Sequence, residues 1–232
     1  MPDHNRFHYK EVTSTNDICF EKCQQSEKPV VVSADKQTKG RGRNQKDWKS
    51  PHGNISYSFG YKSEKIISGT SIKTGLIAAN AINKAFSIDV GLKWPNDLIY
   101  QSKKVGGILV ETQNLNKNFI TVIGVGINLQ IDPEEKHWGD LNIDISDESS
   151  KETLIKELTD GLLLMSNNEI SSSWESEWIK KCAHIGQLVK IRSENEYLEF
   201  LGIDSDGQMI SKNKEGEFIK IQESSIEVDG IY

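Results

Sequence analysis

Apolar residues recur along this chain at two different spacings, and each spacing predicts a different kind of element. In 71–86 and 151–165 they stand three or four positions apart, as on one face of an amphipathic helix. Shorter helices are expected over 15–25 and 173–182. We therefore expect four helices, separated by stretches with a different pattern.

Capping patterns precede two of these helices. Ser14 is followed three positions later by Asp17, and Ser149 is followed in the same way by Glu152. In a capping box the serine side chain bonds a backbone amide of the first turn, and the acidic side chain bonds back. Both helices are expected to begin with this exchange.

Strands are predicted where β-branched residues cluster or apolar and polar residues alternate. Val30-Val31-Val32 indicates a buried strand. In the first part of the chain the predicted strands are 30–32, 55–61, 92–94, 98–100, 105–112 and 119–128. Short turns join the last three, which makes these neighbours antiparallel. After Gly186 four more follow, at 188–191, 197–203, 208–211 and 217–221. We expect an α+β fold with a mixed, mainly antiparallel sheet, and then a small β-barrel.

Composition limits the classes of protein to consider. The chain has 232 residues with 28 Lys and Arg against 34 Asp and Glu, a net charge of −6. An acidic chain is unlike a general nucleic-acid binder, so no DNA partner is expected. It has no apolar run of about 20 residues and no signal peptide, so no membrane association is expected. Three cysteines without framework spacing indicate reduced thiols and a cytoplasmic protein.

The strongest chemical signal is the loop over 37–54, in which Gly40-Arg41-Gly42-Arg43 alternates glycine with arginine. Glycine lets a backbone approach a ligand closely, and arginine binds carboxylate or phosphate. The alternatives are a flexible basic surface loop and an RNA-binding arginine segment. Long loops in compact domains are often functional, which favours a binding site.

Four further motifs carry polar or glycine residues at the ends of predicted elements. In chain order, their ordinary alternatives are a simple helix cap for the first, a strand-end turn for the second, a solvated hairpin tip for the third and a weak glycine pair for the fourth. No Ser/His/Asp order, reactive cysteine or paired acid and base is evident. The motifs are 14–16 (Ser-Thr-Asn), 93–97 (Lys-Trp-Pro-Asn-Asp), 103–111 (with Lys104 and Gly106-Gly107) and 124–128 (Gly-Val-Gly-Ile-Asn). Such residues suit binding and polarising an anionic centre without a protein nucleophile.

Taken together and in this order, the five motifs resemble those of the biotin protein ligases. The resemblance covers 14–128, and the segment 202–207 resembles part of the family's small C-terminal domain. It implies a class II synthetase-like catalytic domain, placed at 1–185, and an SH3-like β-barrel, placed at 186–232. It also implies activation of biotin by ATP to biotinyl-5′-AMP, followed by transfer of biotin to a lysine of a biotin carboxyl carrier protein.

The resemblance assigns roles to individual residues. Lys104 and Arg43 would be catalytic. Biotin would be bound by Ser14, Thr15, Asn16, Gln37, Gly40, Arg41, Gly42, Arg43, Lys104 and Gly107. ATP and the adenylate would be bound by Arg41, Arg43, Lys46, Trp48, Lys93, Asn96 and Asn128. Mg²⁺ is expected with ATP, but no residue identifies itself as its ligand.

Some features of the chain depart from the family pattern. Asn44 and Lys46 stand where some members have arginine, and Lys39 stands where a small residue is frequent. Only 13 residues precede Ser14, which predicts a form without a DNA-binding domain. The chain is expected to be a monomer or a homodimer. A lipoate or octanoate ligase or transferase of the same broad fold is the alternative enzyme, and a non-catalytic adenylate sensor or an RNA-binding module is the alternative outside enzymes.

Overall fold

The computed structural model describes residues 4–132, 138–192, 195–222 and 224–232. The helices are α1 Thr15–Gln24, α2 Thr70–Phe86, α3 Glu148–Ser166 and α4 Trp174–Lys181. The first seven strands are β1 Asn5–Val12, β2 Val30–Gln37, β3 Ile55–Ser63, β4 Gly91–Lys93, β5 Asp97–Tyr100, β6 Lys103–Leu115 and β7 Asn118–Ile127. The last five are β8 Leu188–Ile191, β9 Glu196–Ile203, β10 Met209–Lys212, β11 Phe218–Ile221 and β12 Ile226–Val228.

The seven N-terminal strands form one sheet in the order β1-β2-β3-β7-β6-β5-β4. Only the β1–β2 pair is parallel, and every other neighbouring pair is antiparallel. The antiparallel pairs β4–β5, β5–β6 and β6–β7 follow from the short connections between consecutive strands. The expected α+β fold with a mixed, mainly antiparallel sheet is confirmed.

Helices cover both faces of this sheet. On one face, α2 and α3 bury Leu76, Ile82 and Leu158 against Phe59 and Val125. Each fully buried side chain of this kind contributes about 1.5–3 kcal/mol relative to exposure. On the other face, α1 buries its own smaller apolar cluster, made of Cys19, Phe20, Cys23, Val30, Val32, Ile120 and Val122. Because α1 is only ten residues long, it leaves the rest of that face free for a site.

The last five strands form a second sheet, in the order β11-β10-β9-β8-β12, and all of its pairs are antiparallel. This agrees with the expected SH3-like C-terminal part. Its turn at Gly207 packs on the start of α2, since a Cβ added there would lie 2.9 Å from Gly69 Cα. The indole nitrogen of Trp94 donates to the Gly207 carbonyl at 3.1 Å. The boundary at 185/186 stays a prediction.

Both predicted capping boxes are wrong. Ser14 is the N-cap residue of α1, but its side chain makes no capping bond, and Asp17 bonds Arg41 instead. The N-cap residue of α3 is Asp147, which accepts from the Ser150 amide at 3.1 Å. In each case the acidic partner of the predicted box bonds an arginine that is distant in sequence, Arg41 for Asp17 and Arg6 for Glu152.

Two strands escaped the sequence analysis. In β1 most side chains are exposed or half-buried, so little apolar alternation marks the strand. In β12 there are three residues, too few for a pattern. Both are held by pairing with better-marked strands, β1 with β2 and β12 with β8. None of the described helices is both long and apolar enough to span a membrane.

Candidate active site

The site lies on the α1 face of the large sheet, over a floor of small residues. Across β3, β7 and β6, Ser56 pairs with Gly126 and Gly126 pairs with Gly107. Two positions along the strands, Ser58 pairs with Gly124. Residues two apart on a strand share a face, so these small side chains lie together. They leave room above the sheet that larger side chains would fill.

Two of the glycines are required by close contacts. A Cβ added at Gly126 would lie 2.6 Å from Trp48 Cε2, and one added at Gly124 would lie 2.6 Å from Asn16 Oδ1. The Trp48 indole also meets Trp138 edge-on, with ring centroids 6.1 Å apart. The glycine pair therefore admits a polar side chain at one end of the floor and an aromatic wall at the other.

Uncharged polar groups line the end of the cavity next to α1. The amide nitrogen of Thr15 donates to Gln37 Oε1 at 2.9 Å, and its hydroxyl lies 3.1 Å from the same oxygen. Ser58 Oγ lies 2.8 Å from Thr15 Oγ1 and 2.6 Å from Asn16 Oδ1. Ser14, Thr15 and Asn16 are buried. This end offers fixed donors and acceptors to a neutral polar ligand.

The loop over 37–54 (the arginine loop) crosses the cavity, and two hydrogen bonds within it hold its backbone. Gly42 N donates to Lys46 O at 2.7 Å, and Trp48 N donates to Gly40 O at 2.9 Å. A Cβ at Gly40 would lie 2.5 Å from the Trp48 carbonyl oxygen, so only glycine is accommodated there. The glycines thus serve the folding of the loop on itself as well as the approach of a ligand.

The two arginines of the loop point to different partners. Arg41 makes a double hydrogen bond to Asp17 on α1, at 2.8 and 2.6 Å. Arg43 donates to Asn96 Oδ1 at 3.3 Å and to the Ser224 carbonyl at 3.2 Å. One loop therefore touches the helix at one end of the cavity and the C-terminal segment at the other.

Charged groups line the end of the cavity next to β5 and β6. Lys104 Nζ lies 2.5 Å from Asp97 Oδ1, and both side chains are largely buried. The ammonium group of Lys93 lies 4.1 Å from the ring centroid of Tyr232, and burial lowers the pKa of this lysine. The Tyr232 hydroxyl bonds Asp97, and burial together with that carboxylate raises the pKa of the phenol. Two lysines share one carboxylate here, which leaves positive charge for an anionic ligand.

One cavity brings together thirteen of the fifteen residues predicted for the site. They are Ser14, Thr15, Asn16, Gln37, Arg41, Gly42, Arg43, Lys46, Trp48, Lys93, Asn96, Lys104 and Gly107. The other two, Gly40 and Asn128, line an adjoining cavity that shares Gln37, Arg41 and Trp48 with the first. The Asn128 side-chain amide donates to the Gly139 carbonyl at 3.0 Å, so its donor already has a partner in the protein.

Several residues of the site were missed by the sequence analysis. Asp97 and Glu111 stood inside quoted motifs without an assigned role, and Glu111 accepts from Asn16 at 2.7 Å. Trp138 lies within the acidic part of the sequence over 130–150, where a lone tryptophan was the available signal. Asp17 was assigned to a helix cap. Tyr232 had no signal, because its contacts depend on how the C-terminal segment lies against β5.

Comparison with known proteins gives a family match over the part of the chain that contains the five motifs. Residues 9–128 match the model of the biotin/lipoate A/B protein ligase family. Biotin–protein ligase 1, chloroplastic, of Arabidopsis thaliana is 36% identical over 128 residues, covering 51% of this chain and 34% of that protein. Biotin–[acetyl-CoA-carboxylase] ligase of Mycobacterium tuberculosis is 32% identical over 114 residues, covering 46% of this chain and 41% of that protein. The chain thus spans well under half of either relative.

Solved structures extend the likeness to nearly the whole chain. The biotin protein ligase from Aquifex aeolicus, solved in complex with biotin and ATP, superposes with a TM-score of 0.77 at 26% identity. The match covers 97% of this chain and 99% of that one. The fold is mixed α+β, and one cavity on the sheet has a neutral and a charged end over a glycine floor. The chain belongs to the biotin/lipoate A/B protein ligase family.

Proposed function

We propose that this protein is an ATP-dependent ligase that converts biotin into biotinyl-5′-AMP and then transfers biotin to a lysine of a carrier protein. The observation that carries the proposal is the single cavity that joins the neutral recess beside α1 to Lys104 and Arg43. Biotin has the same division, with an uncharged ureido ring at one end and a carboxylate at the other. The proposal agrees with the names of the relatives and of the similar structure.

The ureido group of biotin would occupy the neutral recess. A ureido group has one carbonyl acceptor and two N–H donors, and the recess holds hydroxyl, amide and carboxamide groups in fixed positions. Gln37 on β2 bonds Thr15, and Ser58 on β3 bonds both Thr15 and Asn16, so these hydrogen bonds join α1, β2 and β3. A pre-ordered set of this kind lowers the conformational entropy lost on binding.

The first chemical step would take place at the charged end. A carboxylate oxygen of biotin attacks the α-phosphorus of ATP, the new P–O bond forms, and pyrophosphate leaves with the electrons of the broken bond. Negative charge crowds at the phosphorus, and Lys104 and Arg43 are the cations placed to stabilise it. Lys46 and Lys93 line the same cavity and would add positive charge near the phosphates.

The second step needs no protein nucleophile. The neutral ε-amine of the carrier lysine attacks the acyl carbon of the adenylate, AMP leaves, and an amide bond remains. Both attacking groups belong to substrates, so the protein contributes orientation and charge stabilisation. Trp48 and Asn96 would line the nucleotide side of the cavity, and Asn128 would approach it from the adjoining one.

Mg²⁺ remains part of the proposal. Among the described residues no group of three or more His, Cys, Asp or Glu side chains could hold a metal ion. Mg²⁺ usually binds through one or two carboxylates together with the phosphates of the nucleotide, so no such cage is needed. Asp47 and Asp97 line the cavity and would supply those carboxylates.

The carrier is proposed to be the biotin carboxyl carrier protein of a carboxylase, in keeping with the name of the Mycobacterium relative. We place the protein in the cytoplasm, because Cys19, Cys23 and Cys182 are all free thiols. A monomer or a homodimer, with no DNA partner, stays a prediction.

Pyrophosphate release with ATP and Mg²⁺ tests the proposal, with biotin, lipoate or octanoate as the acid. We expect biotin alone to stimulate release. Release with lipoate or octanoate but not with biotin would establish the alternative activity within the family. Binding of biotinyl-5′-AMP without any release would indicate a sensor. A second assay should follow transfer of labelled biotin to a carrier domain, with a Lys-to-Arg carrier as the control.

A further inference from the structure

The first-turn carboxylate of α1 is joined to the arginine loop by a bidentate ion pair. Both oxygens of Asp17 accept from the Arg41 guanidinium, at 2.8 and 2.6 Å. Glu111, on β6, lies 3.5 Å from the same guanidinium. The paired planar groups fix the direction of the arginine as well as its distance. The hydrogen bond to Arg41 lowers the pKa of Asp17, so the carboxylate is ionised at neutral pH.

The position of Asp17 connects this pair to the binding recess. It directly follows Thr15 and Asn16, which line the cavity beneath the loop. Arg41 stands between two glycines, whose freedom makes an ordered loop costly in conformational entropy. Besides its backbone bonds, the loop at this end therefore depends on a side-chain attachment to a rigid helix. The matching attachment at the other end is made by Arg43, to Asn96 and Ser224.

We propose that Asp17 is a positioning residue that holds the arginine loop closed over the recess through Arg41, and so slows the escape of the bound acyl-adenylate. This rests on the proposed function, since an acyl-adenylate must first form. Asp17 would touch neither biotin nor ATP. Its contribution would be to the lifetime of the intermediate, which must persist until a carrier lysine arrives.

The expected effect of breaking the pair is modest and specific. Asp17 is half exposed, with 49% of its side chain accessible, so the pair is partly screened by solvent. We expect Asp17→Asn to speed release of biotinyl-5′-AMP by about fivefold, as for the loss of one exposed ion pair. The rate of pyrophosphate formation should change less than the rate of release. Asp17→Glu keeps the charge and should restore most of the retention.

The experiment combines two measurements on the whole chain. Release of labelled biotinyl-5′-AMP is followed after adding an excess of unlabelled adenylate, and amide hydrogen exchange is measured over 38–49. The amides of Gly42 and Trp48 report directly, since both donate within the loop. The control is Asp160→Asn, which removes a carboxylate 2.6 Å from Lys156 in α3, away from the cavity. It should leave both measurements unchanged.

Each outcome decides a separate point. Faster exchange and faster release in Asp17→Asn, reversed in Asp17→Glu, support the proposal. Unchanged exchange in Asp17→Asn would show that the pair does not hold the loop. Faster exchange with unchanged release would show that the loop does not retain the adenylate. Either result overturns the proposal. Absence of biotin-dependent pyrophosphate from the wild-type protein would overturn the proposed function instead, while the exchange comparison still judges whether Asp17 holds the loop. Should Asp17→Asn fold poorly, Asp17→Ala is measured in the same two ways, and unchanged exchange or unchanged release in that variant overturns the proposal.

Discussion

The end of the cavity next to α1 has hydrogen-bonded uncharged side chains beside the Arg41–Asp17 pair and Glu111, whereas the end next to β5 and β6 has lysines around Asp97. At the first end Ser58 bonds both Thr15 and Asn16, and all three side chains are buried. At the second, Lys93 and Lys104 lie near Asp97 in a partly desolvated setting. Neutral groups can be buried cheaply once they are hydrogen-bonded, whereas buried charges need a partner.

The difference indicates a division of labour along the cavity. Under the proposed function the neutral recess would contact the same part of biotin in the ground state and in the transition state, so it would contribute to binding. A charged end matters most where negative charge builds up during reaction. Substitutions at the two ends should therefore differ in kind: changes at the neutral end should raise KM, and changes at the charged end should lower kcat.

Lys104→Ala should show the largest effect. Under the proposed function Lys104 would stabilise the reacting phosphate, and loss of such a cation costs about 3 kcal/mol, or roughly 10²-fold in the rate of adenylate formation. Single-turnover pyrophosphate release measures this rate. Lys103→Ala, which removes the exposed neighbour, is the matched control. If the two variants were equally active, the charged end would have no catalytic role.

His184, which is fully buried against Phe200, should make stability depend on pH. Burial, helped by the nearby charge of Lys93, lowers its pKa to about 3. In the unfolded chain a histidine titrates near 6.5, so below that pH the unfolded state binds the extra proton and stability falls. Lowering the pH from 7 to 5 should reduce the free energy of unfolding by about 2 kcal/mol through this histidine. Urea unfolding at both pH values should show that His184→Gln loses this dependence, while His52→Gln, at an exposed site, keeps it.

Thr15→Val tests the neutral end. Removing the hydroxyl at nearly constant volume takes away the contacts to Gln37 and Ser58, and a hydrogen bond contributes about 1 kcal/mol. We expect KM for biotin to rise by roughly fivefold with kcat little changed. Steady-state kinetics with varied biotin measures both. The same substitution at Thr153, on α3, should leave both constants as they are; a fall in kcat at Thr15 would contradict the division of labour.

Tyr232→Phe should show the smallest effect. The hydroxyl bonds Asp97, the carboxylate that also pairs with Lys104, so its loss changes the charged end indirectly. Because half of the residue is exposed, we expect only about a threefold fall in the rate of adenylate formation. Tyr197→Phe, at a similarly exposed position, is the control. A change in KM for biotin with an unchanged rate of adenylate formation would mean that Tyr232 acts on the neutral end of the cavity and not on the charged end.

The sequence predicted the elements with strong periodicity and missed those held by their neighbours. The helix over 71–86 and the strand over 119–128 were found within a residue or two, because their own apolar patterns reflect burial. The mostly exposed strand β1 was missed, since its pairing with β2 is decided by the backbone. Both capping boxes were wrong because a local pattern does not show that Arg41 and Arg6 bond the acidic side chains, nor that α3 begins earlier, after Asp147.

By itself, the sequence determined which chemistry this protein has available: glycines and arginines in one loop, small polar residues at the start of α1, and a lysine ahead of a glycine pair. These are properties of short segments, and a short segment is fully visible in the chain. Only the tertiary structure decided how the segments divide one cavity into a neutral and a charged end. It also decided that Arg41 meets Asp17, that Tyr232 reaches Asp97, and that Asn128 faces the adjoining cavity. Such contacts join residues far apart in sequence, and their geometry follows from strand order and packing.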